Sequence, residues 1–279
     1  MDILSFQSRV AWGYVGNAMA VPVIQHFGLN AWPIDTIALG HHPGHGPTFR
    51  RTPNDQEISA QSSEVLARIA APAAALIGYL GDAGQGRAIK GALDNARNTK
   101  KIDRIYLDPV FGDTAEGIYV NKDIVAYFKD VAVPMADIVM PNCFELAHLT
   151  SKTIENAHHA IEAAHVVLEC GPEVVLVSSV PFDDHSIQNL LITRTHAWSI
   201  KTPLLPLKAK GTGDMLSAAF TALHASAMPS TEAFQYAVSL VQSAVADASE
   251  RRLIELDLPR ILAENTKKKN DVRIEEIST

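Results

Sequence analysis

Cysteine is almost absent. The 279 residues hold two, Cys143 and Cys170, too few for a disulfide framework and without the paired spacing of a structural zinc site. A reducing compartment, the cytoplasm, is the expected setting. Positive charge is also short, with 24 Lys and Arg against 31 Asp and Glu and a net charge of −7. No long basic stripe gathers it, which argues against nucleic acid as the main partner, because such binding draws on clustered cations that neutralise phosphates. Long apolar runs are missing as well. LARIAAPAAALIGYL (66–80) is the most apolar stretch, but Arg68 and Pro72 interrupt it and it is too short to span a bilayer, so no membrane partner is expected. The opening MDILSFQSRV has an acid at its second position and no cationic stretch before an apolar one, so no signal peptide is expected there. Gly13 and Gly16 do not make the G-x-G-x-x-G fingerprint of a dinucleotide fold.

Short apolar runs alternate with helical patterns along most of the chain. DILSF (2–6), AWPIDTIAL (31–39), AALIGYL (74–80), RIYLD (104–108), ADIVMPN (136–142) and EVVLVSS (173–179) read as strands, with a hairpin over 188–200. The segments between them, and three stretches over about 212–226, 231–249 and 253–264, carry helical spacing. Strand and helix in alternation predict right-handed βαβ units: one α/β domain with a mostly parallel sheet covered on both faces. In such sheets ligands bind at the carboxyl ends of the strands. The polar residues there are Ser8, expected just past the first strand, Asp108, Asn142, and Ser178 with Ser179.

KGTGDMLSAAF (210–220) is the entry to a helix whose stripe is Leu216, Phe220 and Leu223. Lys210 to Gly213 can present consecutive backbone N–H groups with little side chain in the way, which suits an anion. Asp214 in the first turn has a plain reading, as a cap that opposes the helix dipole, and a carboxylate there is expected to have a depressed pKa. DPVFGD (108–113) and PNCFEL (141–146) add Asp108, Asp113, Asn142 and Glu145. Each alone reads as a turn or cap residue. Together, carboxylates at neighbouring strand ends would repel one another unless a cation lay among them. With the glycine turn they describe an anion cradle beside a divalent-metal pocket, which is what phosphoryl transfer needs. Residues 40–55, GHHPGHGPTFRRTPND, have neither period and read as a lid or binding loop. His41, His42 and His45 lack a neighbouring acid or cysteine to complete a zinc set. ENTKKKNDVRIEEIST (264–279) reads as a solvated, partly frayed tail.

GTGDMLSAAF resembles the closing signature of the ribokinase-like superfamily of small-molecule kinases. SFQSRVAWGYVGN, WPIDTIALGHHPGHG, IGYLGDAGQG, YLDPVFGDTAEGIYV and ADIVMPNCFEL resemble, in that order, the blocks of the pyridoxal kinases, and the likeness runs to about residue 250. The resemblance implies a single-domain, three-layer α/β/α sandwich over 1–264, with a flap at about 40–55 and a charged tail at 265–279. It implies ATP-dependent phosphorylation of the 5′-hydroxymethyl group of pyridoxal, with pyridoxine and pyridoxamine as further candidate substrates. Asp214 would take the hydroxyl proton, and Gly211, Thr212 and Gly213 would hold the transferring phosphoryl group. Asp108 and Glu145 would sit near Mg²⁺, partly through water, with Asp113, Asn142 and Ser178 close to the triphosphate. Ser8, His42 and Tyr79 would line the pyridine pocket. It further implies a homodimer and leaves open an activating monovalent cation. One departure stands out: in the pyridoxal kinases the histidine matching His42 is generally followed by threonine, where this chain has Pro43. A hydroxymethylpyrimidine kinase is the rival within the superfamily, but it typically carries cysteine in place of Asp214. An idle vitamin B6 binding protein is the rival outside it.

Overall fold

Apolar residues alternate sides along the central strands, and this period-two pattern sorts the core into two layers. In the computed structural model, which describes residues 1–206, 209–264 with the backbone of 265, and 272–278, the elements follow in this order. They are β1 (Asp2–Trp12), α1 (Asn17–His26), β2 (Asn30–His41), β3 (Arg50–Arg51), α2 (Asp55–Arg68), β4 (Ala73–Ile77), α3 (Ala83–Asn98) and β5 (Ile102–Leu107). Then come β6 (Gly112–Asp113), β7 (Gly117–Ile118), α4 (Lys122–Tyr127), α5 (Val133–Met135), β8 (Ile138–Val139), α6 (Cys143–Thr150) and α7 (Ala157–Glu169). The chain closes with β9 (Val174–Asp183), β10 (Ser186–Ile192), β11 (Ala197–Pro203), α8 (Thr212–Ala225), α9 (Ser230–Glu250), α10 (Leu258–Asn265) and β12 (Ile274–Ile277).

The main sheet runs β12-β11-β10-β9-β8-β5-β4-β1-β2-β3. Its centre, from β2 to β9, is parallel, and both edges turn antiparallel. Leu4, Phe6, Ile77, Leu107, Val139 and Val177 point to the layer of α2 to α7. Ile3, Leu76, Tyr106, Ile138 and Leu176, one residue out of phase, point to α1, α8, α9 and α10. Strands buried on both faces need a continuous apolar run, which is what Ala73–Ile77 supplies. The expected three-layer sandwich is the observed fold. Helix starts follow their caps: Asn54 with Glu57 on α2 and Asn142 with Glu145 on α6 form reciprocal capping boxes.

Five stretches differ from the sequence reading. β1 does not stop before Ser8; it pairs with β4 only over Ile3–Phe6, bulges at Gln7/Ser8, and continues beside β2 to Trp12 as a ribbon that leaves the sheet. Residues 40–55 are built rather than irregular, with the end of β2, a 3₁₀ turn at Pro43–His45, and β3 antiparallel to β2. β9 runs on through Ser178 to Asp183, with Ser179 at φ 59° and a break in its pairing with β10. The tail's residues 274–277 pair with β11 at the sheet edge, because Ile274 and Ile277 give even this charged stretch something to bury. ADIVMPN, read as a strand over 136–142, is a strand only at Ile138–Val139, and Asn142 caps α6 with Glu145, the cap role each was read as having alone.

Candidate active site

The turn before α8 is shaped by close approach. Gly211 has φ 96°, and a Cβ on it would lie 2.0 Å from the carbonyl oxygen of Tyr14, so no other residue fits. Having no side chain, Gly211 cannot cap α8, and the first helical bond runs from Met215 N–H to its carbonyl. The N–H groups of Thr212, Gly213 and Asp214 therefore precede the helix's own ladder. The Cβ direction of Gly213 meets nothing within 4 Å. This is an anion seat that opens outward.

Asp214 turns away from that capping role. Its carboxylate accepts the N–H of Gly16, from the loop after β1. Burial pushes its pKa up to about 6 and outweighs that donor, so the depressed value expected for a helix start is overturned. Asp108, just past the end of β5, is 6% exposed. Burial, then the charge of Asp214, raise it to about 7, while the Ser217 hydroxyl, one turn along α8, opposes the rise. Glu145, 2% exposed, is held well above the carboxylate range by burial and by Asp108. Its oxygens accept N–H groups from Phe111 at 3.0 Å and Asn142 at 2.9 Å. The acids of three separate segments thus lie close enough to feel one another, Asp214 with Asp108 and Asp108 with Glu145.

The other expected site residues have partners of their own. Asn142 donates to the Gly112 carbonyl at 2.8 Å and forms a bridge to Ser178, so the loop after β5, α6 and β9 are tied together there. Asp113 accepts N–H groups from Ala115 and Glu116 and lies 3.7 Å from Lys210 Nζ, which itself pairs with Glu116 at 2.5 Å. Ser8 is buried beneath Gly16, whose Cβ direction points at the Ser8 carbonyl and hydroxyl. His42 accepts from the Gly44 N–H at 3.0 Å; burial, then the nearby Lys210 cation, lower its pKa. Tyr79 follows β4 and its carbonyl accepts the Thr36 hydroxyl at 2.6 Å. Among the described residues, no three His, Cys, Asp or Glu converge as a metal cage.

Three participants carried no sequence signal strong enough to single them out. Ser217 was a hydroxyl three residues after Asp214 on an otherwise apolar helix, which is a usable hint. Tyr119, after the β6–β7 hairpin, is 42% exposed as a residue, yet desolvation at its hydroxyl, followed by the charges of Glu145, Asp108, Asp214 and Asp113, raises that hydroxyl above the usual phenol range. Gly16 donates to Asp214 through its backbone, which side-chain reasoning does not see.

The phosphomethylpyrimidine kinase family model matches residues 48–253. Pyridoxal kinase PdxY of Rubrobacter xylanophilus is 38% identical over 230 residues, covering 79% of this chain and 78% of its own length. The chain belongs to the pyridoxal kinase family. A second member, PdxY of Leifsonia xyli, is 34% identical and aligns over 92% of this chain and 93% of its own. The fold agrees: pyridoxal kinase from Leishmania donovani, solved with ADP and pyridoxamine, superposes with a TM-score of 0.89 at 23% identity over 99% of both chains. Plasmodium falciparum PdxK with AMP-PNP and PL gives 0.86 at 20% identity, over 99% of both. The family-model match takes in the acids and the GTGD turn but stops short of Ser8, Gly16 and His42 on one side and Glu255 on the other.

Proposed function

We propose that this chain transfers the γ-phosphoryl group of ATP to the 5′-hydroxymethyl oxygen of pyridoxal. The observation that carries this reading is the closeness of the buried Asp108 to the Asp214 carboxylate, at the open start of α8. Asp214 accepts the substrate's hydroxyl proton as the oxygen–phosphorus bond forms and the bond from the γ-phosphorus to the bridging oxygen of ADP breaks. A base with a pKa near 6 is better matched to neutral pH than an ordinary aspartate, while remaining mostly ionised there. The N–H groups of Thr212 and Gly213, with Gly211 fixing the turn, hold the moving phosphoryl group. Asp113, Asn142 and Ser178 lie along the triphosphate, and Ser8, His42 and Tyr79 face the pyridine ring.

The donors fit Mg²⁺. Two buried carboxylates held above their usual range are what a divalent cation would neutralise, and Mg²⁺ commonly takes only one or two carboxylates beside phosphates and water. Asp108 would hold it directly. Glu145, whose oxygens already accept backbone N–H groups, would act through water. When bound, the ion supplies neutralisation of triphosphate charge. A homodimer, a cytoplasmic setting and an activating monovalent cation belong to the same reading.

Incubation with Mg-ATP and each of pyridoxal, pyridoxine, pyridoxamine and hydroxymethylpyrimidine tests it. ADP release coupled to pyridoxal phosphate supports it. Turnover of the pyrimidine alone assigns the chain to the other activity named by its family model, and tight vitamer binding without turnover makes it a binding protein.

A further inference from the structure

Glu255, between α9 and α10, lies outside every stretch that resembles the kinase blocks, yet two parts of the site, the flap and the 13–16 loop, meet at its carboxylate. Oε1 is 2.6 Å from His45 Nε2, at the end of the 3₁₀ turn of the flap. Oε2 accepts the N–H of Tyr14 at 3.1 Å. Gly13, at φ 99°, has no side chain because a Cβ there would lie 2.5 Å from that same oxygen.

The loop held by this contact is the one that shapes the phosphoryl site. The Tyr14 carbonyl lies against Gly211, and two residues on Gly16 donates to Asp214. On the flap side, His45 meets the ring of Trp12 edge-on, with centroids 5.3 Å apart. The His45 and Glu255 side chains are 24% and 12% exposed. A contact so enclosed, with one arm on a backbone N–H, is better shielded from solvent than an ordinary surface ion pair.

We infer that Glu255 is a positioning residue for phosphoryl transfer: one carboxylate oxygen clamps the flap through His45 and the other fixes the 13–16 loop that seats the GTGD turn and donates to Asp214. The inference rests on the proposed activity and adds a division of labour to it. The His45 arm governs substrate retention and water exclusion. The Tyr14 arm governs the placement of Asp214.

The test uses the full-length chain with Glu255→Ala, Glu255→Gln, His45→Ala and the Glu255→Ala/His45→Ala double variant. Steady-state constants for pyridoxal, ADP release without vitamer, and amide hydrogen exchange over residues 13–16 and 42–46 are measured. Losing a charge-assisted contact of this kind is expected to cost about tenfold. His45→Ala should raise KM for pyridoxal and ADP release without vitamer by about that factor, with kcat near the parent value. Glu255→Ala should do the same and also lower kcat about tenfold, with faster exchange in both segments. Glu255→Gln, whose amide oxygen can still accept the Tyr14 N–H, should recover most of kcat. The double variant should have no higher KM than Glu255→Ala, since both substitutions break one contact. Parent-like constants and exchange in Glu255→Ala, or KM effects that multiply in the double variant, would overturn the inference. Should the parent transfer phosphate to no vitamer, the proposed activity fails, and the exchange rates still decide whether the clamp exists.

Discussion

Asp108 and Asp214 titrate as a pair: burial pushes Asp214 up to about 6 and, together with the charge of Asp214, pushes Asp108 up to about 7. A base that must be ionised then gives turnover that falls as pH drops through about 6, and the pH profile of kcat with saturating Mg-ATP checks this. Because Mg²⁺ stabilises the ionised form of Asp108, the acid limb of the rate at fixed substrate should move to lower pH as Mg²⁺ is raised. Asp214→Asn should cut kcat by roughly two to four orders of magnitude while nucleotide binding survives. A profile flat from pH 5 to 8 would remove Asp214 as the base.

The same pair makes a stability prediction of opposite sense to the usual aspartate. Both folded pKa values lie above the usual aspartate value of 3.8, so the native state binds more protons than the unfolded chain between about 4 and 7. Stability without metal is therefore lost as pH rises through that window, and the penalty is fully present above it. Asp108→Asn should raise the melting temperature near pH 8, by about 2–4 °C for each kcal/mol relieved, and change little near pH 4. Thermal melts at the two pH values, with EDTA present, read it directly.

Gly211 and Gly213 should answer differently to the same substitution. Gly211→Ala must place a methyl 2.0 Å from the Tyr14 carbonyl at a positive φ, so the loop and the start of α8 have to separate. A cost on the order of 1–3 kcal/mol in stability and near-complete loss of turnover are expected. Gly213→Ala meets open space, so melting should be almost unchanged while KM for ATP rises, because the methyl enters the anion seat. If both variants melt and bind ATP alike, the seat is misplaced.

These contrasts show what the sequence made legible. The alternation of β4, α3 and β5 follows from short apolar runs between helical periods, and the parallel centre of the sheet follows from them. Asp108, Glu145 and Asp214 could be named because acids next to glycine or proline turns at strand and helix ends are conspicuous one by one. Their meeting could be expected only from the rule for strand ends and the family resemblance, since it depends on the sheet bringing Asp108 and Asp214, more than a hundred residues apart in sequence, to one rim. The pKa of Asp214 was misjudged for a related reason: local dipole reasoning sees the helix start, whereas burial comes from the whole fold. β12 was missed because its pattern, Ile274 to Ile277 around two glutamates, gains meaning only from the open edge of β11.

Ser217 and Tyr119 should be separable by their metal dependence. The Ser217 hydroxyl steadies the ionised form of Asp108, so Ser217→Ala should raise the Mg²⁺ concentration needed for half-maximal rate, by roughly tenfold for one lost hydrogen bond to a charge. Tyr119 keeps its proton at working pH, since desolvation at its hydroxyl and four carboxylates nearby disfavour the phenolate. Tyr119→Phe should therefore lower kcat without moving the pH limb. A Mg²⁺ titration of both variants distinguishes them, and an unchanged requirement in Ser217→Ala would detach that hydroxyl from the metal pocket.

Pro43 is the residue through which substrate preference should depart from that of relatives with threonine there. It opens the 3₁₀ turn, where its missing N–H leaves no bond unmade, and it holds His42 before it in an extended conformation at φ −61°, ψ 134°. The ring thus stiffens the flap while giving up a hydroxyl and a backbone donor that could reach the vitamer. Pro43→Thr restores both and loosens the turn, at a stability cost of about 0.4–1 kcal/mol through the freer unfolded chain. The vitamers differ at the carbon where pyridoxal carries its aldehyde, so the three KM values should change unequally while KM for ATP stays put. Parallel kinetics on pyridoxal, pyridoxine and pyridoxamine decide the matter: three ratios unchanged by the substitution would show that Pro43 shapes the flap without reading the ring.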